Sequence, residues 1–265
     1  MGMLVNASSR EQKTLPHTVK MLTAGAAPPS AILEQIETLG FDVTHAYGLT
    51  ECYGPGVVSE WHPEWDELPT AEKASKKARQ GVPYLVMQGL TVMEPKTMQR
   101  TPADSNTMGE VFMRGNNLMK GYLKNKTATE KAFLGGWFHT GDIGHMDSEG
   151  WIYIDDRKKD VVISGGENIY PAELENVLAE CALLSESTVV GVTDSRWGEI
   201  PVVVAVAAEG FEQNSEAILQ LFDGQIAGFK HPKRVIWTDQ LPRNVMGKVL
   251  KHEVRDLITK SETAT

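Results

Sequence analysis

The order of elements between Met21 and Tyr47 constrains the fold most. Met21-Leu22-Thr23 is strand-like and runs through Gly25 into a tight turn at Pro28-Pro29. Ile32, Leu33, Ile36 and Leu39 then recur at helical spacing, and Gly40 ends the run. A second short strand at 43–47 leads into the loop Gly48-Leu49-Thr50-Glu51. Strand, helix, strand predicts the tail of a larger α/β layer. The stretch 61–79 is polar and tryptophan-bearing, helical in its second half. Its basic run, Lys73 to Arg79, is interleaved with Ala and Ser and is expected to be a solvated helix face.

From 81 to 154 the pattern changes to short β-like runs divided by turns, as in Gly109-Glu110-Val111-Phe112-Met113-Arg114, which predicts a small distorted β-barrel. Beyond 160 a second compositional unit begins. Val161-Val162-Ile163-Ser164 reads as a strand and Gly165-Gly166 as a turn. Pro171 opens a helix with Leu174, Val177, Leu178 and Cys181 on one face and Glu173 and Glu175 near its positive end. Strands are expected at 188–192 and 202–207, and amphipathic helices at 215–226 and 248–258. The fold class is α/β with α+β elements, in two domains, 1–156 and 157–265.

With 41% hydrophobic and 23% charged residues, the 265-residue chain has the makings of a packed core. A net charge of −9 argues against nucleic-acid or anionic-membrane partners, which demand excess Lys and Arg. No apolar run reaches the ~18 residues of a membrane span. Two cysteines, Cys52 and Cys181, without a CxxC pair fit a reducing compartment. There is no charged-then-apolar leader, and Ser261-Glu262-Thr263-Ala264-Thr265 spells no targeting tripeptide. The expected location is therefore cytoplasmic.

The sharpest chemical segment is Gly136-Trp137-Phe138-His139-Thr140-Gly141-Asp142, followed fifteen residues after that Asp by Arg157. A carboxylate beside glycines accepts two hydrogen bonds from a ribose diol, and a guanidinium offers a complementary fork of donors. Taken singly, the pair reads as a turn aspartate and a surface arginine.

Five segments in order give these residues more weight: Gly25-Ala26-Ala27-Pro28; Tyr47-Gly48-Leu49-Thr50-Glu51; Gly136 to Asp142; Asp156 to Glu175; and Pro242-Arg243-Asn244-Val245-Met246-Gly247-Lys248. Together they resemble the acyl-adenylate-forming superfamily of AMP-dependent acyl-CoA synthetases, adenylation domains and beetle luciferases. The stretch 61–82 is similar to the branch of medium-chain, aryl and methylthio-alkanoate CoA ligases. The resemblance implies the C-terminal part of a large AMP-binding domain, barrel included, and a small mobile α+β lid.

Under that resemblance Gly25, Ala26 and Ala27 form a wall for adenine and acyl group, small enough for close approach to backbone. Tyr47 stacks on adenine beside Gly48. Thr50 donates to the α-phosphate, and Glu51 helps hold Mg²⁺, a hard cation that prefers oxygen. Asp142 and Arg157 take the ribose hydroxyls, and Lys248 bridges the substrate carboxylate and the α-phosphate. Lys159 is the hinge; turning there exchanges Lys248 for Ser164-Gly165-Gly166-Glu167-Asn168 and admits the thiol of CoA. Residue-level alternatives are plain: a strand-end core aromatic for Tyr47, a helix cap with a first-turn acid for Thr50-Glu51, a hairpin turn for Gly165-Gly166, and an exposed lysine for Lys248.

The implied activity is ligation of a fatty, short- to medium-chain or aryl acid to CoA with ATP. The family's Ser/Thr/Gly-rich phosphate loop ending in Pro-Lys-Gly does not occur here; the resemblance places it upstream of Gly25. Without that cradle for the β- and γ-phosphates the chain alone is expected to have little activity. An incomplete first domain is also expected to expose apolar surface and invite self-association. Asp156 stands where many relatives have Gly. The alternatives are an adenylation module that loads a carrier protein, against which no Gly-Gly-x-Ser motif is found, and a non-catalytic AMP-binding remnant.

Overall fold

A computed structural model describes residues 2–5, 7, 13, 15–25, 30–244 and 247–263. The chain divides into two units, 1–154 and 155–265.

In the first unit β1 (Val19–Ala24) and β2 (Phe41–Tyr47) pair in parallel through the crossover helix Ser30–Thr38. That helix buries Leu33 and Ile36 against Val43, so the helical spacing in the sequence is the spacing of its core face. The sheet continues antiparallel through β3 (Val57–Val58) and β4 (Val82–Pro83).

A second sheet runs β5 (Met87–Met93), β6 (Gly109–Gly115), β7 (Phe138–Met146) and β8 (Ile152–Arg157). The turn-divided runs are thus an antiparallel meander, which among the described residues stays open and does not close into a barrel. A single bridge, Gly81 to Ile152, ties its last strand to the segment before β4. Gln80 Oε1 accepts the Ile154 N–H at 2.7 Å, reinforcing that tie. Val92, Val111, Met113, Phe138 and Ile152 share one core with Tyr47, Cys52 and Val57. Packing the meander on the end of β2 brings Tyr47 to β7.

The basic run 73–79 is not a solvated face. Lys77, in the helix Thr70–Ala78, is buried and bridges Glu37 at 2.5 Å and Asp42 at 2.9 Å. Arg79 is also buried, its guanidinium 3.7 Å from the Trp151 ring centre and 3.8 Å from Asp147. Flat, weakly hydrated and always charged, arginine suits such a stack. The partners come from distant segments, and they remove these two cations from solvent.

In the second unit β9 (Val162–Ser164) and β10 (Glu167–Ile169) form a hairpin. β12 (Gly198–Ala207) lies between β11 (Leu184–Asp194), antiparallel, and β13 (Arg234–Trp237), parallel. The helix Pro171–Ala179 covers one face of the sheet: Leu174 and Leu178 pack on Val189, Val203 and Ala205. Val254 and Ile258 of the helix Lys251–Thr263 cover the other, against Val190, Val202 and Val204. Both faces being covered, 202–205 is a continuous apolar run with no polar alternation. Each fully buried aliphatic side chain contributes about 1.5–3 kcal/mol. The last helix begins at Lys251, so Lys248 precedes it; the helix expected at 215–226 spans only Ser215–Gln220.

Candidate functional site

Tyr47 ends β2 with its ring in the core, and its hydroxyl donates to Oδ2 of the buried Asp142 in β7. Asp142 points inward by the ordinary alternation of β7, in which Phe138, Thr140, Asp142 and Gly144 are buried, and the pairing with β6 slips beside it between Glu110 and Phe112. Gly141, at φ +72°, lies in the slip, and its N–H donates to Glu110 Oε1 at 3.0 Å. The Asp142 N–H donates to Thr140 Oγ1 at 3.1 Å, and that hydroxyl donates to the Val111 carbonyl at 2.7 Å. The glycine-flanked segment is therefore a braced strand that carries an inward carboxylate.

Ala24 pairs with Ala46, so Gly25 and Tyr47 leave neighbouring strands at the same end of the sheet. Gly25, exposed at φ +104°, has open space where a Cβ would be. Ala26 and Ala27 lie outside the described residues. After Tyr47 the chain doubles back tightly. A Cβ on Gly48 would stand 2.5 Å from the Gly54 carbonyl oxygen, which only glycine avoids. A 3-10 turn, Thr50–Cys52, then sets Thr50 outward, Glu51 at the surface edge and Cys52 fully inside. Burial pushes the Cys52 thiol up, and its sulfur lies 3.4 Å from Met113 Sδ.

Glu51 Oε1 accepts the Tyr122 hydroxyl at 2.9 Å, a partner that sequence reasoning missed. Nothing in Lys120-Gly121-Tyr122 marks it, since the contact joins residues 71 apart. Among the described residues no three His, Cys, Asp or Glu side chains gather as a metal site. One carboxylate beside an exposed hydroxyl still fits Mg²⁺, which keeps most of its waters and takes one or two carboxylates with phosphate oxygens.

The other expected residues belong to the second unit. Arg157 ends β8, and its N–H donates to Asp156 Oδ1 at 2.6 Å. Asp156 Oδ2 accepts the Ala172 N–H at 2.8 Å, at the start of the helix Pro171–Ala179. An aspartate in place of glycine here stitches the strand end to that helix. Burial holds its carboxyl above the usual range, against the opposing pull of Lys251. Lys159 is exposed in the next turn, which Asp160 closes by accepting from Arg255 at 2.9 Å. Gly165 and Gly166, at φ +61° and +91°, turn the β9–β10 hairpin next to the exposed Glu167. The Gly165 N–H donates to the Trp197 carbonyl at 2.8 Å.

Lys248 is exposed on a turn whose ends lock each other. Its N–H donates to Asn244 Oδ1, and its carbonyl accepts the Asn244 N–H, both at 2.9 Å. Arg243 donates to the Gly247 carbonyl at 2.6 Å and pairs with Glu186 at 3.0 Å. Val245 and Met246 of that motif lie outside the described residues. The structure thus joins Tyr47 to Asp142 and Glu51 to Tyr122 in the first unit. Arg157, Lys159, Gly165, Gly166, Glu167 and Lys248 stand on the second.

The profile of the AMP-binding enzyme family matches residues 1–123, and that of the AMP-binding enzyme C-terminal domain matches 173–248. The chain belongs to the AMP-binding enzyme family. It is 43% identical to an acetate–CoA ligase of Humulus lupulus, over 96% of this chain and 46% of that protein. It is 42% identical to a peroxisomal acetate/butyrate–CoA ligase of Arabidopsis thaliana, with the same two shares, 96% and 46%. The chain spans about half the length of the curated relatives it matches. Among solved structures, the o-succinylbenzoate CoA synthetase of Bacillus subtilis in complex with ATP and magnesium ion superimposes with a TM-score of 0.80. That match has 29% identity and covers 96% of this chain and 49% of that one.

Proposed function

We propose that the chain serves ATP-dependent ligation of a carboxylic acid to CoA through an acyl-AMP intermediate. It supplies the adenylate-holding wall and the mobile closing domain. The observation that carries this reading is the buried pair of Tyr47, at the end of β2, and Asp142, within β7, next to the Gly48–Glu51 loop. A carboxylate beside a strand-end aromatic suits a ribose diol next to a base, and Gly25 has open space where a Cβ would be.

In this reading adenine lies between Tyr47 and the 25–27 wall, with Asp142 and Arg157 on the ribose. Thr50 donates to the α-phosphate, and Glu51 holds a Mg²⁺ ion that offsets phosphate charge. Lys248 neutralises the charge that grows on the phosphorus as the carboxylate attacks and pyrophosphate leaves. Rotation at Lys159 then replaces Lys248 with the Gly165–Gly166 hairpin, beside which the CoA thiol attacks the acyl-adenylate and expels AMP. Relatives named for acetate and butyrate support short-chain acids as the first substrates to try. With no phosphate loop in its sequence, the isolated chain is proposed to turn over little.

The test is a chimera in which residues 1–265 replace the matching part of the Humulus lupulus acetate–CoA ligase. Mass spectrometry is expected to find acyl-CoA from a short-chain acid, and none after Lys248→Ala. A soluble chimera that binds ATP yet forms no acyl-AMP with acetate, butyrate, benzoate or cinnamate contradicts the proposal.

A further inference from the structure

The 3-10 turn that carries Glu51 is gripped by one segment, 117–122, at three points. Asn117 Nδ2 donates to the Cys52 carbonyl at 3.1 Å, the Met119 N–H to the Glu51 carbonyl at 2.7 Å, and the Tyr122 hydroxyl to Glu51 Oε1 at 2.9 Å. Two of these fix the backbone of the 3-10 turn, and the third fixes the side chain. The segment is itself braced. The Tyr122 N–H donates to Thr129 Oγ1 and that hydroxyl to the Asn125 carbonyl, each at 2.9 Å, while Asn125 caps the helix Lys126–Ala132. Gly121 passes so near Thr129 that a Cβ would stand 2.6 Å from its Cγ2.

We propose that Tyr122 is a positioning residue, holding Glu51 in the one orientation that receives the divalent cation accompanying the nucleotide. The inference rests on the reading of Glu51 as a cation ligand. A surface glutamate otherwise samples several rotamers, and fixing one before the ion arrives removes that entropic penalty. Tyr122 takes up one carboxylate oxygen and leaves the other to the cation. A tyrosine suits the task better than a lysine, since it orients the carboxylate without neutralising the charge that the cation needs.

Calorimetric titration of ATP into the 265-residue chain, in Mg²⁺ and in EDTA, tests this. Tyr122→Phe is expected to cut the Mg²⁺-dependent gain in ATP affinity about tenfold, as loss of a partner behind a metal ligand does. Binding in EDTA should be unchanged. Thr129→Val, which releases the Tyr122 backbone, should move the same quantity in the same direction. An equal loss in Mg²⁺ and in EDTA, or no change in either variant, overturns the proposal. A wild-type chain that binds ATP identically with and without Mg²⁺, or a Glu51→Gln variant that keeps the Mg²⁺ effect, defeats the reading of Glu51 first and the role of Tyr122 with it.

Discussion

Tyr47 and Asp142, ninety-five residues apart and on different sheets, share a buried hydrogen bond from phenol to carboxylate. It links the end of the parallel strand pair to the bulged strand of the meander, and places an aromatic face beside a carboxylate. Replacing Tyr47 by Phe keeps the ring and removes the donor. A buried acceptor left short of a donor costs about 1–3 kcal/mol. Urea unfolding of Tyr47→Phe is expected to show a loss in that range.

Lys77 holds the helix Thr70–Ala78 to both Glu37 and Asp42 from a buried position. Removing one partner of such a network leaves the others desolvated and uncompensated. Lys77→Ala is expected to destabilise the first unit by about 3 kcal/mol, read as a shift of the urea midpoint at constant slope. A loss of a few tenths would mean the cation is effectively solvated.

Gly81 sits at φ +116°, where a Cβ would fall 2.0 Å from the Val58 carbonyl oxygen. It also carries the bridge to Ile152 that ties β8 to the first sheet. Gly81→Ala is expected to lose more than about 2 kcal/mol, because strain and clash coincide in a position that cannot shift without breaking that bridge. Hydrogen exchange at the Ile152 amide should accelerate in the same variant.

His45 is buried on β2, and its Nδ1 lies 3.4 Å from the Arg79 carbonyl. Burial holds its pKa below 6.5, with the Arg79 carbonyl opposing. The folded state therefore resists a proton that the unfolded chain accepts. His45 contributes stability that is present above about pH 6.5 and is lost as pH falls through the depressed folded value. Stability of the chain is expected to decline from pH 7 toward pH 5, and His45→Asn should flatten that decline.

The motifs carrying the candidate site were legible because they are local. Gly136 to Asp142 and Tyr47 to Glu51 are short segments whose glycines and polar residues announce turns and acceptors. Helix faces were legible for the same reason, as with Leu33 and Ile36 or Leu174 and Leu178. What escaped depends on partners brought in by tertiary packing. The burial of Lys77 and Arg79 needs Glu37, Asp42, Trp151 and Asp147. The Glu51–Tyr122 contact and the slip in the β6–β7 pairing beside Asp142 likewise have no local signal. The helix start at Lys251 was misjudged because 248–250 continues the apolar period while the chain is still in the Asn244–Lys248 turn.

The central claim is that the Asp142 carboxylate holds the ribose of an adenylate. Calorimetric titration of AMP into the chain, with wild type beside Asp142→Ala, measures it most directly. The account predicts saturable binding by wild type and a loss of about tenfold or more in the variant, the scale of one hydrogen bond to a charged group. Absent binding by wild type, or equal affinity in the two proteins, would contradict it.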